Sequence, residues 1–379
     1  MAKNKYIFTK TRVIVFLIIA AILGVSMIFA GTLEKYINFS ATPMDKGSLE
    51  DIQEDDLTIH FVYVGQGDST IIELPNGEVM MIDSGPRSAK TELNDYLDKV
   101  IFEDDRNIID YFILTHTDED HTGGAVMVFE NYDVKAVYRP EVYSKSEIVP
   151  DGEYQVTTTV WDNAVKAMVN AEEINIVEKD MKIEYTDSEH PSKSWSFTFF
   201  GPIADVYSNN NDYSPVMVLE NNGKKYMFTG DASEDIEKEF LDAYSTRLSD
   251  FDVDVLKVGH HGSSSSTCEE FLAVVKPEIA VISCGKDNKY GHPTNDLLAR
   301  LEDAKAQILR TDVSSSIIIY GRDGTLKHVA DFFEPNDYYI EWWYVVVTLG
   351  VIAAVICFFP KSEVKRLAKQ EAREAKRKK

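Results

Sequence analysis

The chain has 379 residues, 44% of them hydrophobic, and a net charge of −24. This length and composition suit a globular domain with accessory segments and exclude a wholly disordered protein, while the acidity argues against stable, sequence-independent binding to nucleic acid. Three cysteines are too few for a disulfide framework, although the sequence leaves open whether Cys268 pairs with Cys284.

The first element is an uncharged apolar stretch that begins at Val13. It is long enough to cross a bilayer as a helix, and basic residues precede it. We predict a basic cytoplasmic segment at 1–12, a transmembrane helix at 13–31 and a linker at 32–56. A cleavable signal peptide is the competing interpretation, but its apolar region is normally only about 7–15 residues long.

A domain predicted over 57–330 follows, in which β-branched and aromatic runs alternate with helical patterns. Such an order is typical of sheets covered by helices, so the fold class is α/β. The predicted strands are Leu57–Val64, Ser69–Leu74, Glu78–Ile82, Tyr111–Leu114, Ser196–Phe200, Pro215–Glu220, Lys225–Phe228, Val253–Val258, Ile279–Ser283 and Ser316–Tyr320. The predicted helices are Ala89–Val100, Val160–Val169, Glu234–Ala243, Glu269–Val275 and Thr294–Ala304.

A second uncharged stretch begins at Trp342, after a short linker at 331–340. Aromatic residues at its start and a basic tail at 361–379 are typical of a membrane span, so we predict a transmembrane helix at 341–360. A buried core helix is the alternative. The positive-inside rule then places both termini in the cytoplasm and the acidic domain outside the cell, tethered to the bilayer by two spans.

The strongest chemical signal is the run His116-Thr117-Asp118-Glu119-Asp120-His121, directly after a predicted strand. Imidazole and carboxylate ligands together suit Zn²⁺, Mn²⁺ or Fe²⁺. An acidic surface loop with incidental histidines is the alternative. Three further signals follow strands or turns: Asp231 in Thr229-Gly230-Asp231, the pair His260-His261, and His292 in Gly291-His292-Pro293.

The order of these motifs, together with Val64-Gly65-Gln66-Gly67-Asp68 and Asp83-Ser84-Gly85, is similar to that of the ComEC family of DNA-uptake proteins. The likeness covers residues 57–321 and concerns the metallo-β-lactamase-fold domain of that family. It implies a four-layer αββα sandwich, here flanked by two single transmembrane helices.

The resemblance also implies two divalent metal ions, Zn²⁺ with Mn²⁺ or Fe²⁺ as alternatives. Its ligand set falls on His116, Asp118, Asp120, His121, Asp231 and His261. His116 and Asp118 hold the first metal, Asp120, His121 and His261 hold the second, and Asp231 bridges them. Asp83 resembles an aspartate that orients ligands from behind. Of the histidine pair, the resemblance implies His261 as the ligand, because in related motifs the ligand directly precedes the small residue that is Gly262 here. His260 is then a neighbour or a substrate contact.

The sequence departs from the wider superfamily at the first metal. Asp118 stands where most members have histidine, and no third histidine is evident between His121 and Asp231. His190 lies in that interval but is expected on an exposed loop.

Asn211 and Ser214 match an Asn-x-x-Ser element that contacts substrate or is a turn before a strand. Arg310 is a candidate phosphate ligand, and His292 a candidate proton donor to the leaving group.

We therefore expect a metal-dependent hydrolase that acts on a phosphodiester. Nucleic acid, a phospholipid headgroup and a cell-wall polymer are all open as substrates. Two alternatives are a non-catalytic assembly protein that keeps the fold and an accessory component of DNA uptake. The latter could not form a many-helix channel alone, because the chain offers only two candidate spans.

Overall fold

The computed structural model describes residues 49–102, 106–150, 154–322 and 325–330. Within these ranges there is no helix with both the length and the apolar character needed to cross a membrane. The predicted spans at 13–31 and 341–360, with their basic flanks, lie outside the described residues.

The strands of the described ranges are short. They are β1 (Thr58–Phe61), β2 (Thr70–Glu73), β3 (Val79–Ile82), β4 (Ile108–Ile113), β5 (Asp133–Arg139), β6 (Tyr143–Ser144), β7 (Gln155–Val156), β8 (Glu173–Ile176), β9 (Lys182–Tyr185), β10 (Trp195–Phe199), β11 (Met217–Asn221), β12 (Lys224–Phe228), β13 (Val255–Lys257), β14 (Ile279–Ile282), β15 (Gln307–Arg310), β16 (Ile317–Arg322) and β17 (Thr325–Ala330).

The α-helices are α1 (Lys90–Tyr96), α2 (Glu119–Thr122), α3 (Ala125–Asn131), α4 (Thr159–Ala167), α5 (Glu234–Ala243), α6 (Glu269–Val275), α7 (Asn295–Asp303) and α8 (Thr311–Ser314). A π-turn at Leu97–Ile101 continues α1. Single 3₁₀ turns occur at Leu49–Asp51, Arg87–Ala89, Met168–Asn170, Pro191–Lys193, Asn210–Tyr213, Leu248–Phe251 and Gly259–Gly262.

Two large sheets form the centre of the domain. The first has the strand order β17-β16-β1-β2-β3-β4-β5-β8, and the second has the order β15-β14-β13-β12-β11-β10-β9. Each sheet is antiparallel on one side and parallel on the other, the parallel pairs being β3-β4, β4-β5 and β5-β8 in the first and β12-β13, β13-β14 and β14-β15 in the second.

Three apolar layers hold these sheets and helices together. The middle layer contains Phe61 from the first sheet and Phe197 from the second, so the two sheets pack face to face. A second layer, with Trp161, places α1, α3 and α4 on the outer face of the first sheet. A third layer, with Phe240 and Phe271, does the same for α5, α6 and α7 on the second sheet. The predicted αββα sandwich is therefore confirmed.

The alternation of side chains along β1 shows how one strand serves two layers. Ile59 and Phe61 join the core between the sheets. His60 points the other way, where its Nδ1 lies 2.9 Å from the Tyr96 hydroxyl of α1 and its Nε2 lies 2.8 Å from Glu73 Oε1. Cys268 and Cys284 are buried free thiols, so they form no disulfide here.

A buried carboxylate anchors α6. Glu237 of α5 has no exposed surface, and its oxygens accept hydrogen bonds from the backbone N–H groups of Thr267 and Cys268 just before α6. Burial raises the pKa of Glu237 to about 7, although these hydrogen bonds oppose the rise.

Because the folded-state pKa of Glu237 exceeds its unfolded value, its contribution to stability is complete below the unfolded pKa and is lost as the pH rises to 7. We expect the free energy of unfolding of wild type, measured relative to Glu237→Gln, to fall by about 3 kcal/mol between pH 4.5 and 7.5. Urea unfolding of the full-length protein at both pH values measures this difference. If the difference in free energy of unfolding between wild type and Glu237→Gln is the same at both pH values, the prediction is wrong.

Candidate metal centre

The predicted site residues follow strands that end at a common edge. Asp83 follows β3 and the run from His116 to His121 follows β4, and these two strands are parallel neighbours. Asp231 follows β12 and His261 follows β13, which are parallel neighbours in the other sheet. Since the carboxyl ends of parallel strands meet at one edge of a sheet, both pairs deliver polar side chains there.

The Asp231 carboxylate lies at the middle of this cluster. Its Oδ1 is 3.2 Å from His121 Nε2, and its Oδ2 is 3.4 Å from His261 Nε2 and 3.9 Å from His116 Nε2. The two nitrogens of His121 and His261 are 3.3 Å apart. All four side chains are buried, so the structure brings three imidazoles from two distant stretches of the chain to one carboxylate.

The two other acidic candidates lie at the outer side of the cluster. Asp120 is partly exposed, and its Oδ2 is 3.3 Å from His261 Nε2. Asp118 is also partly exposed, and its Oδ1 accepts a hydrogen bond from the Asn210 side-chain amide at 3.0 Å. The structure thus places Asp120 against the histidines and Asp118 against Asn210.

Asp83 lies directly behind His121. Its Oδ2 accepts a hydrogen bond from His121 Nδ1 at 2.7 Å and another from the Thr115 hydroxyl at 2.7 Å, while Oδ1 accepts from the Thr115 backbone N–H. The backbone of Asp83 is in the left-handed region, with φ 58°, which is unfavourable for a non-glycine residue and is typical of functional sites. With Nδ1 donating to Asp83, His121 turns the lone pair of Nε2 to the centre.

His116 is oriented by two hydroxyl groups. Thr115 Oγ1 lies 3.0 Å and Ser214 Oγ 3.2 Å from His116 Nδ1. The Thr115 proton is donated to Asp83 and Ser214 accepts from the Asp231 N–H, so both oxygens are free to accept from Nδ1. His116 therefore also presents an Nε2 lone pair, and this buried atom has no hydrogen-bond partner within the described part of the chain.

Ser214 is thus placed differently from the prediction. It has no exposed surface, and its hydroxyl is used by His116 and Asp231. It positions a ligand and a backbone amide, where a substrate would not reach it.

Two residues behind His261 were not predicted. Asp68 Oδ1 accepts a hydrogen bond from His261 Nδ1 at 3.0 Å, and Asp68 Oδ2 forms a 2.6 Å ion pair with Lys257 Nζ. Both side chains are almost completely buried. The signal was present, because Asp68 ends the Gly65-Gln66-Gly67-Asp68 turn that carried the family resemblance.

Gly67 allows this turn to approach α2 closely. A Cβ at Gly67 would lie 2.4 Å from the Asp120 carbonyl oxygen, so any larger residue would push the turn away. The close approach lets the Asp68 N–H donate to that same carbonyl at 3.1 Å. His260 and His261 also have left-handed backbones, with φ 47° and 53°.

The charges of the cluster favour a cation at its centre. Burial works against each charge, but Asp231 and Asp83 hold the pKa of His121 well above its usual value, and His261 and His121 hold the pKa of Asp231 well below its usual range. Likewise, burial would raise the pKa of Asp68, yet Lys257 and His261 keep it low.

These residues fit a metal ion. Ligand atoms of Asp68, His121, Asp231 and His261 lie within 4.8 Å of one another. Asp68 is the exception among them, because both of its oxygens are already bonded to Lys257 and His261. Imidazole Nε2 atoms facing carboxylate oxygens form the donor set preferred by Zn²⁺, Mn²⁺ and Fe²⁺.

The rim of the site contains His260, Asn211 and His292. His260 is partly exposed, its Nε2 lies 3.7 Å from Asp231 Oδ2, and the Asn211 amide is 3.3 Å from the same nitrogen. The rings of His260 and His292 meet edge to face at 5.8 Å, and Tyr290 stacks on His292. His260 and Asn211 thus border the Asp231 cluster.

Two other candidates are engaged elsewhere. The guanidinium of Arg310 is held in a bidentate ion pair by Asp312, at 3.0 and 2.6 Å. Arg310 was predicted to bind phosphate, but these donors are already bonded to Asp312. His190 lies on an exposed turn beside Asp187, as expected.

The sequence of the chain is similar to those of three bacterial proteins. The chain is 29% identical to ComE operon protein 3 of Bacillus subtilis, over 68% of this chain and 32% of that protein. It is 26% identical to Recombination protein 2 of Haemophilus influenzae (67% and 27%) and 26% identical to Competence protein ComA of Neisseria gonorrhoeae (71% and 33%). The chain thus spans about a third of the length of these relatives.

These relatives confirm the ComEC resemblance inferred from the motifs. The family match extends over residues 62–286, more than half of the chain. On this evidence the chain belongs to the metallo-beta-lactamase superfamily.

Proposed function

We propose that this chain is a metal-dependent phosphodiesterase with two divalent cations at the Asp231 cluster. The observation that carries the proposal is the common orientation of three buried histidines. His116, His121 and His261 each have Nδ1 beside an oxygen acceptor, so each directs the lone pair of Nε2 toward Asp231. Ordinary core histidines have no reason to converge in this way on one carboxylate.

The proposed ligands form two sets, one for each cation, and each set contains one of the partly exposed carboxylates, Asp118 or Asp120. Asp118 and His116 would hold one cation, Asp120, His121 and His261 the other, and Asp231 both. The cations would lower the pKa of a bound water to near 7 and stabilise negative charge on the attacked phosphate. His260 and Asn211 are placed to bind substrate oxygens, and His292 to deliver a proton to the leaving group.

A phosphodiester suits this site better than a β-lactam. Carboxylate-rich ligation favours cations that bind hard oxygen atoms, such as those of phosphate. The names of two relatives, which refer to competence and recombination, support nucleic acid as the phosphodiester. Phospholipid headgroups and cell-wall polymers belong in the same substrate panel.

We also propose that the enzyme is anchored in the cell membrane with its catalytic domain outside. The uncharged stretches at 13–31 and 341–360 and their basic distal flanks support this topology. Protease added to intact cells would then remove the domain while leaving epitopes at both termini protected.

The direct test of the proposed activity is hydrolysis of bis(p-nitrophenyl) phosphate by the full-length protein purified in detergent. With added Zn²⁺, Mn²⁺ or Fe²⁺ we expect turnover, and we expect His121→Ala to lower it by more than the roughly 10–100-fold that loss of a supporting residue costs. His190→Ala is the matched control, because it removes an exposed histidine outside the cluster.

Elemental analysis of the same preparations reports metal content. Metal bound stoichiometrically without turnover of any phosphodiester would favour the non-catalytic alternative. If the purified protein contains no bound metal and hydrolyses no phosphodiester, the proposal is overturned.

A further inference from the structure

A groove of about 480 Å³ opens between the helices that cover the first sheet. One wall comes from the turn at Arg87–Ala89 and the start of α1, the other from α4, and α3 forms the floor. We name it the cationic groove. Its defining residues are Arg87 and Lys90 on one wall, Asn163 and Lys166 on the other, and Val126 and Met127 on the floor.

The charge of this groove contrasts with that of the chain as a whole, whose net charge is −24. Glu130 is the only acidic residue that lines it. Lys166 is paired with Asp162 at 2.7 Å. Arg87 and Lys90, by contrast, are exposed and form no ion pair with any residue of the described ranges. Two cations in an acidic protein are thus left facing an open cavity.

The groove begins close to the metal centre. The Arg87 backbone N–H donates to Glu119 Oε1 at 2.8 Å, and Glu119 immediately precedes Asp120. Gly123 lines the groove and follows His121 by two residues, so about half a helical turn separates it from that ligand. A chain molecule with one phosphate at the Asp231 cluster could therefore extend across α2 into the groove.

We propose that the cationic groove is a second phosphate subsite for an extended phosphodiester chain whose scissile phosphate lies at the metal centre. This inference rests on the proposed function. Arg87 offers a planar fork of donors and Lys90 a point charge, both suited to phosphate oxygens. The apolar floor of Val126 and Met127 suits a base or sugar between phosphates, so we favour a single-stranded oligonucleotide.

The subsite also resolves a conflict in the sequence. A strongly acidic protein repels polyanions at long range, which argues against a polymeric phosphodiester. Repulsion between charges is screened beyond about 10 Å at moderate salt, whereas Arg87 and Lys90 would act at contact distance. Local binding beside the metal centre is therefore compatible with an acidic surface.

The test measures binding of fluorescein-labelled dT20 to the full-length, metal-free protein by anisotropy. We expect Arg87→Gln/Lys90→Gln to raise the Kd about tenfold and to reduce the slope of log Kd against log salt by about 1.4, because two phosphate contacts are lost. The matched control, Lys276→Gln/Lys305→Gln, removes the same charge from two exposed lysines outside the groove and should leave the Kd within about twofold.

Hydrolysis separates this inference from the proposed function. We expect the groove variant to lower kcat/KM for dT20 about tenfold while kcat/KM for bis(p-nitrophenyl) phosphate, which is too small to reach both subsites, stays unchanged. Equal losses in the groove and control variants, or unchanged dT20 binding in the groove variant, would overturn the subsite. If dT20 binding depends on the groove but neither ester is hydrolysed, the groove stands as an oligonucleotide-binding site, whereas the proposed hydrolase and the subsite's role in hydrolysis do not.

Discussion

Asp231→Asn is expected to lower phosphodiester hydrolysis by at least about 1,000-fold, since several kcal/mol of charge stabilisation by the metals would be lost. Among the residues that the structure describes, Asp231 is the one whose carboxylate lies within 4 Å of all three inward-facing histidines. Asparagine keeps the size and shape of the side chain but removes the negative charge that would hold the proposed cations. The loss of hydrolysis would therefore be due to weaker metal binding and not to a defect in packing.

Metal-dependent stability distinguishes these two explanations. A ligand that binds only the folded protein raises its melting temperature, so EDTA should lower the Tm of wild type and leave that of Asp231→Asn unchanged. Asp205→Asn removes an exposed carboxylate and serves as the charge control. A variant that loses activity yet responds to EDTA like wild type would argue against Asp231 as a ligand.

Lys257→Met is expected to destabilise the fold by about 3–5 kcal/mol, because it leaves the buried Asp68 carboxylate without its counter-charge. The ion pair of Lys257 and Asp68 has a length of 2.6 Å and is almost fully buried. Asp68 in turn fixes His261 through Nδ1. We therefore expect metal affinity to fall as well, by roughly 10–100-fold, as is usual for residues that orient a ligand.

The double variant Lys257→Met/Asp68→Asn tests the mechanism of this loss. Asparagine still offers an oxygen to His261 Nδ1 but needs no counter-charge, so the double variant should recover most of the free energy of unfolding lost in Lys257→Met. Urea unfolding and chelator competition measure stability and affinity separately. Additive effects of the two substitutions would show that Lys257 and Asp68 do not act as a pair.

The prediction of secondary structure succeeded where the local pattern was strong. The helices predicted at Glu234–Ala243 and Glu269–Val275 have those bounds in the structure, because acidic first turns and apolar spacing mark them clearly. Strands β5, β6, β7, β8, β9, β15 and β17 were not predicted. β8 and β9 contain mostly exposed or partly exposed residues, so their pairing with neighbours is specified by the sheet and not by their own hydrophobic pattern.

In the candidate site, too, some features could be predicted from local sequence and others could not. Residue type and position after a strand singled out the run from His116 to His121, while the family resemblance selected Asp231 and chose His261 over His260. The structure brings His116, His121, Asp231 and His261 together. The contacts of Ser214 and Arg310 could not be derived in this way. Ser214 was expected to touch substrate but holds His116, and the fork of Arg310 is held by a neighbour two residues away.

By itself, the sequence determined which side chains are chemically able to bind metal and which strands carry them, because ligand chemistry and alternation of apolar residues are local properties. Only the tertiary structure decided which nitrogen of each histidine faces inward. That orientation depends on acceptors from distant segments, Asp83 for His121 and Asp68 for His261. His116 has both its neighbour Thr115 and the distant Ser214 beside Nδ1. A hydrogen bond between residues far apart in the chain exists only after the two sheets have packed together.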